Sequence, residues 1–127
     1  MKSNQEKREE IRVLLSIDNG WTLENIAINF GMKYSLLTKS TSRTQERMCL
    51  QRNLSMAYFY GQGYTLAEIA KMHNRKNHTT ILNAVKTIKN LHSIRDKIYL
   101  DIWSDLKYGI KKDFIFKEDW DVLDFLP

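Results

Sequence analysis

The chain has 127 residues and a formal net charge of +5, with 20 lysines and arginines against 15 acidic residues. Its single proline, five glycines and 43% hydrophobic content are typical of one helix-rich globular domain, not of a many-stranded sheet or a disordered chain. A single cysteine excludes a disulfide framework. The charged first ten residues and the lack of a long apolar run predict a cytoplasmic protein with no signal peptide and no membrane span.

Apolar residues at helical spacing predict three helices in the first sixty residues, over residues 5–17, 22–30 and 47–60. Gly31 ends the second helix. Residues 33–43 are polar and basic, which favours a loop with a short turn around Leu36 and Leu37. The predicted core residues of this half are Ile11, Leu14, Leu15, Leu23, Ile26, Ala27, Phe30, Leu50, Leu54, Ala57 and Tyr58.

Three further helices are predicted after the breaker at residues 61–63. Thr65 and Glu68 have the Thr-x-x-Glu spacing of a capping box, which opens a short helix. Residues 74–76 form a turn, and Asn77 is the expected N-cap of a helix that continues to Leu91. A last helix covers residues 95–107. The predicted core residues of this half are Ile69, Ala70, Ile81, Ala84, Val85, Ile88, Leu91, Ile98, Ile102 and Leu106.

The predicted fold is therefore an all-α, compact helical domain over residues 1–107, followed by an acidic-aromatic tail over residues 108–127. Basic side chains concentrate in two segments of the domain. Residues 33–52 carry five bases and one acid, residues 71–97 carry seven and one, and residues 98–127 carry four bases and seven acids. Clustered bases are the electrostatic footprint of a phosphate-rich partner. Ordinary solvated surface charge explains the composition equally well. The position of the charges along the helices must distinguish a phosphate-binding surface from ordinary surface charge.

Residues 63–91 combine a helix, a short turn and a second helix that opens on polar residues, as in DNA-binding helix-turn-helix proteins. At about 100° per residue, the apolar positions of the second helix fall on one side. The opposite side has no acidic residue, whereas a merely solvated helix mixes both signs. This pattern predicts an edge that enters the major groove of DNA. Residues 22–39 also fit helix-turn-helix spacing and are the second candidate.

The segment Asn74-Arg75-Lys76-Asn77-His78-Thr79-Thr80-Ile81-Leu82 resembles the Gly-Gly-Arg-Asp-His-Thr-Thr-Val-Leu signature of DnaA, the bacterial replication initiator family. Upstream, Leu36-Leu37-Thr38-Lys39 resembles that family's Leu-Leu-Ser-Lys, and Arg52-Asn53-Leu54-Ser55-Met56-Ala57 its Arg-Gln-x-Ala-Met-Ala. The resemblance covers residues 20–107. It implies the fold of that family's DNA-binding domain IV, a Trp-repressor-like helix-turn-helix domain.

The resemblance also implies a role for each matching residue. Residues 77–80 would face the major groove, Arg52 and Asn53 would grip the DNA backbone, and the loop over residues 39–43 would approach the minor groove. Asn77 replaces the family's Asp, and asparagine pairs with adenine where aspartate accepts from cytosine. The predicted major-groove contacts are Lys76, Asn77, His78, Thr79, Thr80 and Asn83. The predicted backbone or minor-groove contacts are Lys39, Thr41, Arg43, Arg47, Arg52, Asn53, Arg75 and Lys86.

No Gly-x-x-x-x-Gly-Lys-Thr loop and no nucleophile-base pair can be found in the sequence, so we expect no ATPase, no other enzyme activity, no cofactor and no metal. Cys49 is expected to be inert and packed, and His73 to be partly buried. The expected function is sequence-specific binding of double-stranded DNA in the nucleoid. It would regulate replication or transcription for a phage or mobile element.

The tail has Phe116, Trp120 and Leu123 at helical spacing among acidic residues. It either folds back and caps the core or docks on another replication or transcription protein. The alternative function is therefore a protein-interaction module, or an initiator antagonist, that kept the fold and uses this tail. Salt separates the two functions, because phosphate contacts make DNA affinity fall steeply with salt concentration.

Overall fold

The computed structural model describes residues 3–17, 20–31, 33–38 and 46–108. The described residues form helices and no strand, which confirms the all-α prediction. No helix among them has the length and apolar character needed to cross a membrane. The predictions on Lys39, Thr41, Arg43 and the tail beyond Tyr108 lie outside the described residues. The helices are α1 (Asn4–Leu15), α2 (Leu23–Phe30), α3 (Tyr34–Thr38), α4 (Glu46–Gly61), α5 (Leu66–Met72), α6 (His78–Ser93) and α7 (Lys97–Tyr108).

Local capping chemistry sets several helix boundaries. Within the described ranges three capping boxes occur, Ser3 with Glu6, Thr22 with Asn25, and Thr65 with Glu68. In each, the N-cap hydroxyl accepts the backbone N–H three residues on, and that residue's side chain accepts the N-cap N–H. The box predicted at Thr65 is confirmed. The segment predicted as a loop with a turn contains the short helix α3 instead, because Leu37 is fully buried against the core.

Helix α4 is the centre of the domain. Every residue from 54 to 60 is at most 3% exposed, and the other helices pack around it. The predicted stripe at Leu50, Leu54, Ala57 and Tyr58 is buried, but Met56 and Phe59 on the other sides are buried too. A helix that is surrounded on all sides needs apolar residues on every face. The prediction that only one face of α4 is buried was therefore incomplete.

One of the three predicted core positions of α7 is wrong. Ile98 is 40% exposed, whereas Tyr99 beside it is fully buried with Ile102 and Leu106. The Tyr99 hydroxyl lies 3.0 Å from Nδ1 of His92 on α6, so a polar pair takes the place that Ile98 was expected to fill. Burial raises the pKa of the Tyr99 phenol well above its ordinary value, so the hydroxyl stays protonated.

Helix α1 packs closely across the end of α4 and reaches α6. A Cβ added at Gly61 would lie 3.1 Å from Cγ2 of Ile11 and 3.2 Å from the backbone nitrogen of Arg12. Only a glycine allows the two backbones to approach this closely without a shift. Lys89 of α6 then forms an ion pair with Glu10 of α1 at 2.7 Å. The result is a shallow surface shared by α1 and α6.

Candidate nucleic-acid interface

The turn between α5 and α6 has the geometry of a helix-terminating Schellman motif. Asn74 adopts a left-handed conformation with φ 56°. Its N–H donates to the carbonyl of Lys71 at 3.1 Å, and the N–H of Arg75 donates to the carbonyl of Ala70 at 2.7 Å. Asparagine tolerates this conformation better than most residues other than glycine. Asn74 therefore permits a sharp reversal of the chain before α6.

His73 anchors this turn to α4 and is fully buried, more than the sequence predicted. Its Nδ1 lies 2.9 Å from the carbonyl oxygen of Ile69, and its Nε2 lies 2.8 Å from the hydroxyl of Ser55. Because a carbonyl only accepts, the proton is on Nδ1 and the hydroxyl donates to Nε2. Burial is the main cause that lowers the pKa of His73 to about 4; the hydrogen bond to the Ile69 carbonyl raises this pKa, and the positive charge of Arg75 lowers it. The Ser55–His73 pair is fully buried, so no substrate can reach it, and its role is to hold the turn against α4.

Asn77 starts α6, as predicted. Its Oδ1 accepts the backbone N–H of Thr79 at 2.8 Å, which satisfies one of the open donors of the first turn. The first turn of α6 contains no acidic residue. The cap uses one lone pair of the side chain and leaves its N–H donors for another partner. The positive end of the helix dipole is thus exposed beside polar side chains.

Helix α6 has one buried and one exposed side. Ile81, Ala84, Val85 and Ile88 face the core, whereas Leu91, also predicted to be buried, is partly exposed. The predicted major-groove residues share the other side near the start of the helix, and Thr80 alone among them is half-buried. They are Lys76, Asn77, His78, Thr79, Thr80 and Asn83. We call this set the α6 edge.

Two arginines expected to contact the DNA backbone differ in how far they are buried. Arg52 on α4 is only 5% exposed, and burial lowers the pKa of its guanidinium. Its side chain is therefore removed from the surface on which a phosphate contact was expected. Arg75 in the turn is half-buried, and its pKa is lowered first by burial and then by the positive charge of Arg52 nearby. Arg75 thus keeps partial access to a ligand, whereas Arg52 does not.

Arg47 was also expected to contact phosphate. In the structure its Nη1 and Nη2 donate to Oδ2 of Asp101 at 2.7 Å and Oδ2 of Asp105 at 2.6 Å, both on α7. These carboxylates lie more than fifty positions away in sequence, so no local pattern could reveal the pairing. Of the remaining backbone candidates, Asn53 is half-buried on α4 and Lys86 is exposed on α6.

Cys49 is exposed near the start of α4, and the prediction that it packs into the protein is wrong. In the first turn of α4 both Arg47 and Cys49 are exposed, and the buried part of the helix begins at Leu50. Among the residues that the structure describes, no group of three or more histidine, cysteine, aspartate or glutamate side chains could hold a metal ion.

Comparison of the chain with known protein families, curated proteins and solved structures finds no match. The likeness to DnaA therefore rests on the quoted motif residues alone. The fold and the candidate site together define an all-α protein in which a capped helix, acid-free along its whole length, is presented across a tight turn.

Proposed function

We propose that this chain binds double-stranded DNA sequence-specifically, as a DnaA-like helix-turn-helix protein, and thereby regulates replication or transcription. The observation that carries this proposal is the α6 edge. Its exposed side chains include hydrogen-bond donors and hydrogen-bond acceptors, and none of them is acidic. His78, Thr79 and Asn83 offer the donors, acceptors and methyl group that read base edges in the major groove. The resemblance of residues 74–82 to the DnaA signature adds support.

The length of the α6 edge suits contact with a short stretch of base pairs. Residues 77–83 cover about 10 Å of helix at ~1.5 Å per residue. This length corresponds to about three base pairs at ~3.4 Å each. The major groove, about 12 Å wide, admits a helix of this kind. Specific contact by α6 alone would therefore define a core of about three base pairs, with any further specificity supplied by other segments.

The charges around the edge set an expected salt dependence. Lys76 and Lys86 are exposed and Arg75 is half-buried, whereas Arg47 and Arg52 are committed within the fold. Each phosphate neutralised contributes about −0.9 to the slope of log affinity against log salt. Three such contacts give a slope of about −3. Lys39 and Arg43, outside the described residues, would steepen it to about −5 if both contact DNA.

Selection of binding sites from random duplexes, followed by fluorescence anisotropy at several salt concentrations, tests the proposal. Thr79→Ala is expected to reduce the preference for the selected site over random duplex by about tenfold. Lys86→Ala is expected to weaken binding to every duplex and to reduce the salt slope by about 1. Lys97→Ala is the matched control: Lys97 is also exposed, but α6 separates it from Asn77 by about 24 Å.

Failure of any sequence to be enriched would refute sequence-specific binding. Equal effects of Lys86→Ala and Lys97→Ala would show that general charge, and not the α6 edge, attracts the DNA. A salt slope near zero would favour the protein-interaction module instead, because contacts without phosphates release no counterions.

A further inference from the structure

A groove of about 820 Å³ lies between α6 and α1 beside the α6 edge. Its apolar floor includes Leu82, Val85 and Tyr60, and Leu82 is 46% exposed. The sequence pattern did not predict that Leu82, the last residue of the DnaA-like segment 74–82, is so exposed on an otherwise polar surface. The exposed apolar surface indicates a site that a ligand with apolar side chains would cover.

The rim of this groove is basic. Lys7, Lys86 and Lys89 line it, and none of the described lining residues is acidic. Lys89 is already paired with Glu10, which leaves Lys7 and Lys86 as the cations available to a ligand. A second groove of about 640 Å³ adjoins the side of α1 that carries Glu6, Glu9 and Glu10. The two grooves therefore have opposite charge, and only the first suits an acidic, apolar ligand.

The chain itself contains a segment with this complementary chemistry. Residues 113–126 carry five acidic side chains and one basic side chain. Phe116, Trp120 and Leu123 recur among them at intervals of four and three residues. Tyr108, the end of α7, and Trp120 are twelve positions apart, a separation that a chain can span over at most about 40 Å. A domain of this size has a radius of gyration of only about 13 Å, so the groove is within reach.

We propose that residues 113–126 dock in the groove between α1 and α6 of the same chain. Their apolar side chains would cover Leu82, and their carboxylates would face Lys7 and Lys86. Leu82 and Lys86 flank Asn83, so the docked segment lies beside the α6 edge and brings negative charge to it. It therefore competes with DNA phosphates for the same cations. This last consequence rests on the proposed DNA binding, whereas the docking does not.

Disulfide trapping in the full-length protein tests the docking directly. The exposed Cys49 is first replaced by Ser, and Leu82→Cys is then combined with Leu123→Cys. The matched control combines Val13→Cys with Leu123→Cys, since Val13 is 68% exposed on the acidic groove. Both pairs share one chain and hence an effective concentration in the millimolar range. Docking is expected to form the Leu82 crosslink, within monomers, on the order of ten times faster than the control.

Equal rates for the two pairs, or no Leu82 crosslink in a protein whose circular dichroism shows it folded, would overturn the proposal. Crosslinks found only in dimers would overturn it in favour of docking between two copies. Adding Asp121→Lys and Asp124→Lys should reduce the Leu82 crosslink, and adding Lys7→Glu and Lys86→Glu to that variant should restore it. A crosslink insensitive to both charge changes would contradict the electrostatic part of the argument.

DNA binding provides a second readout that separates the two proposals. Asp121→Asn with Asp124→Asn removes tail charge without touching the α6 edge, and it should raise DNA affinity on the order of tenfold at low salt. Leu82 trapping with no DNA binding in any variant would refute the proposed function and leave the docking intact. DNA binding that the tail variant does not strengthen, together with equal trapping rates, would refute the docking alone.

Discussion

The buried His73 makes a sharp prediction about how stability depends on pH. Its ring holds the turn before α6 through Ser55 and the Ile69 carbonyl, and the neutral ring satisfies both partners without a charge. Protonation would place a second ring N–H against the Ser55 hydroxyl and leave a charge in the core. The folded protein therefore resists protonation at His73, whereas the unfolded chain accepts a proton at the ordinary pKa.

The magnitude follows from the shift of this pKa from 6.5 to about 4. Because the folded-state pKa is lowered, the stabilisation is fully present above pH 6.5 and is lost as the pH falls towards 4. Each pH unit in that window removes about 1.4 kcal/mol from the free energy of unfolding. The whole window therefore removes about 3 kcal/mol.

Urea unfolding followed by circular dichroism, from about pH 7.5 to about pH 4.5, measures this effect in the wild type and in His73→Gln. Glutamine offers a donor and an acceptor but does not titrate. The stability difference between the two proteins should shrink by about 1.4 kcal/mol per pH unit below pH 6.5. His78→Gln, at an exposed ring, is the control and should parallel the wild type. Parallel curves for wild type and His73→Gln would refute the argument.

Two further predictions concern contacts outside the α6 edge. Arg47→Ala should lower the free energy of unfolding by no more than about 1 kcal/mol, because the ion pairs with Asp101 and Asp105 are partly exposed. It should leave the salt slope of DNA binding unchanged, and a slope reduced by about 1 would mean that Arg47 leaves α7 to contact phosphate. Thr65→Ala should lower the free energy of unfolding by about 1 kcal/mol through loss of the α5 capping box, whereas Thr65→Ser should cost much less. Equal urea midpoints for the two Thr65 variants would contradict this.

Much of the local structure around α5 and α6 could be predicted from the sequence. The Thr65 capping box, the Asn77 N-cap and the buried positions of α6 each depend on residues within a few positions of one another. Side-chain spacing along a helix determines which residues share a face, so the exposure of the α6 edge could also be predicted from the sequence. The function of that edge is a separate matter, because exposure alone does not identify a ligand.

What lies far apart in sequence could not be predicted in this way. The binding partners of Arg47 come from α7, and the burial of Arg52 depends on how the helices close around α4. Likewise, Tyr99 displaces Ile98 from the core because His92 offers its hydroxyl a partner.

The sequence by itself determined the helical class, the caps and the acid-free face of α6, since hydrogen bonds and side-chain spacing within single turns control them. Only the tertiary structure decided which arginines remain accessible to a phosphate and that Leu82 lies open beside Lys86. Electrostatic neutralisation and burial arise between elements that meet only when the chain folds. For this reason the basic side chains left open to a phosphate are fewer than a count of basic residues implies.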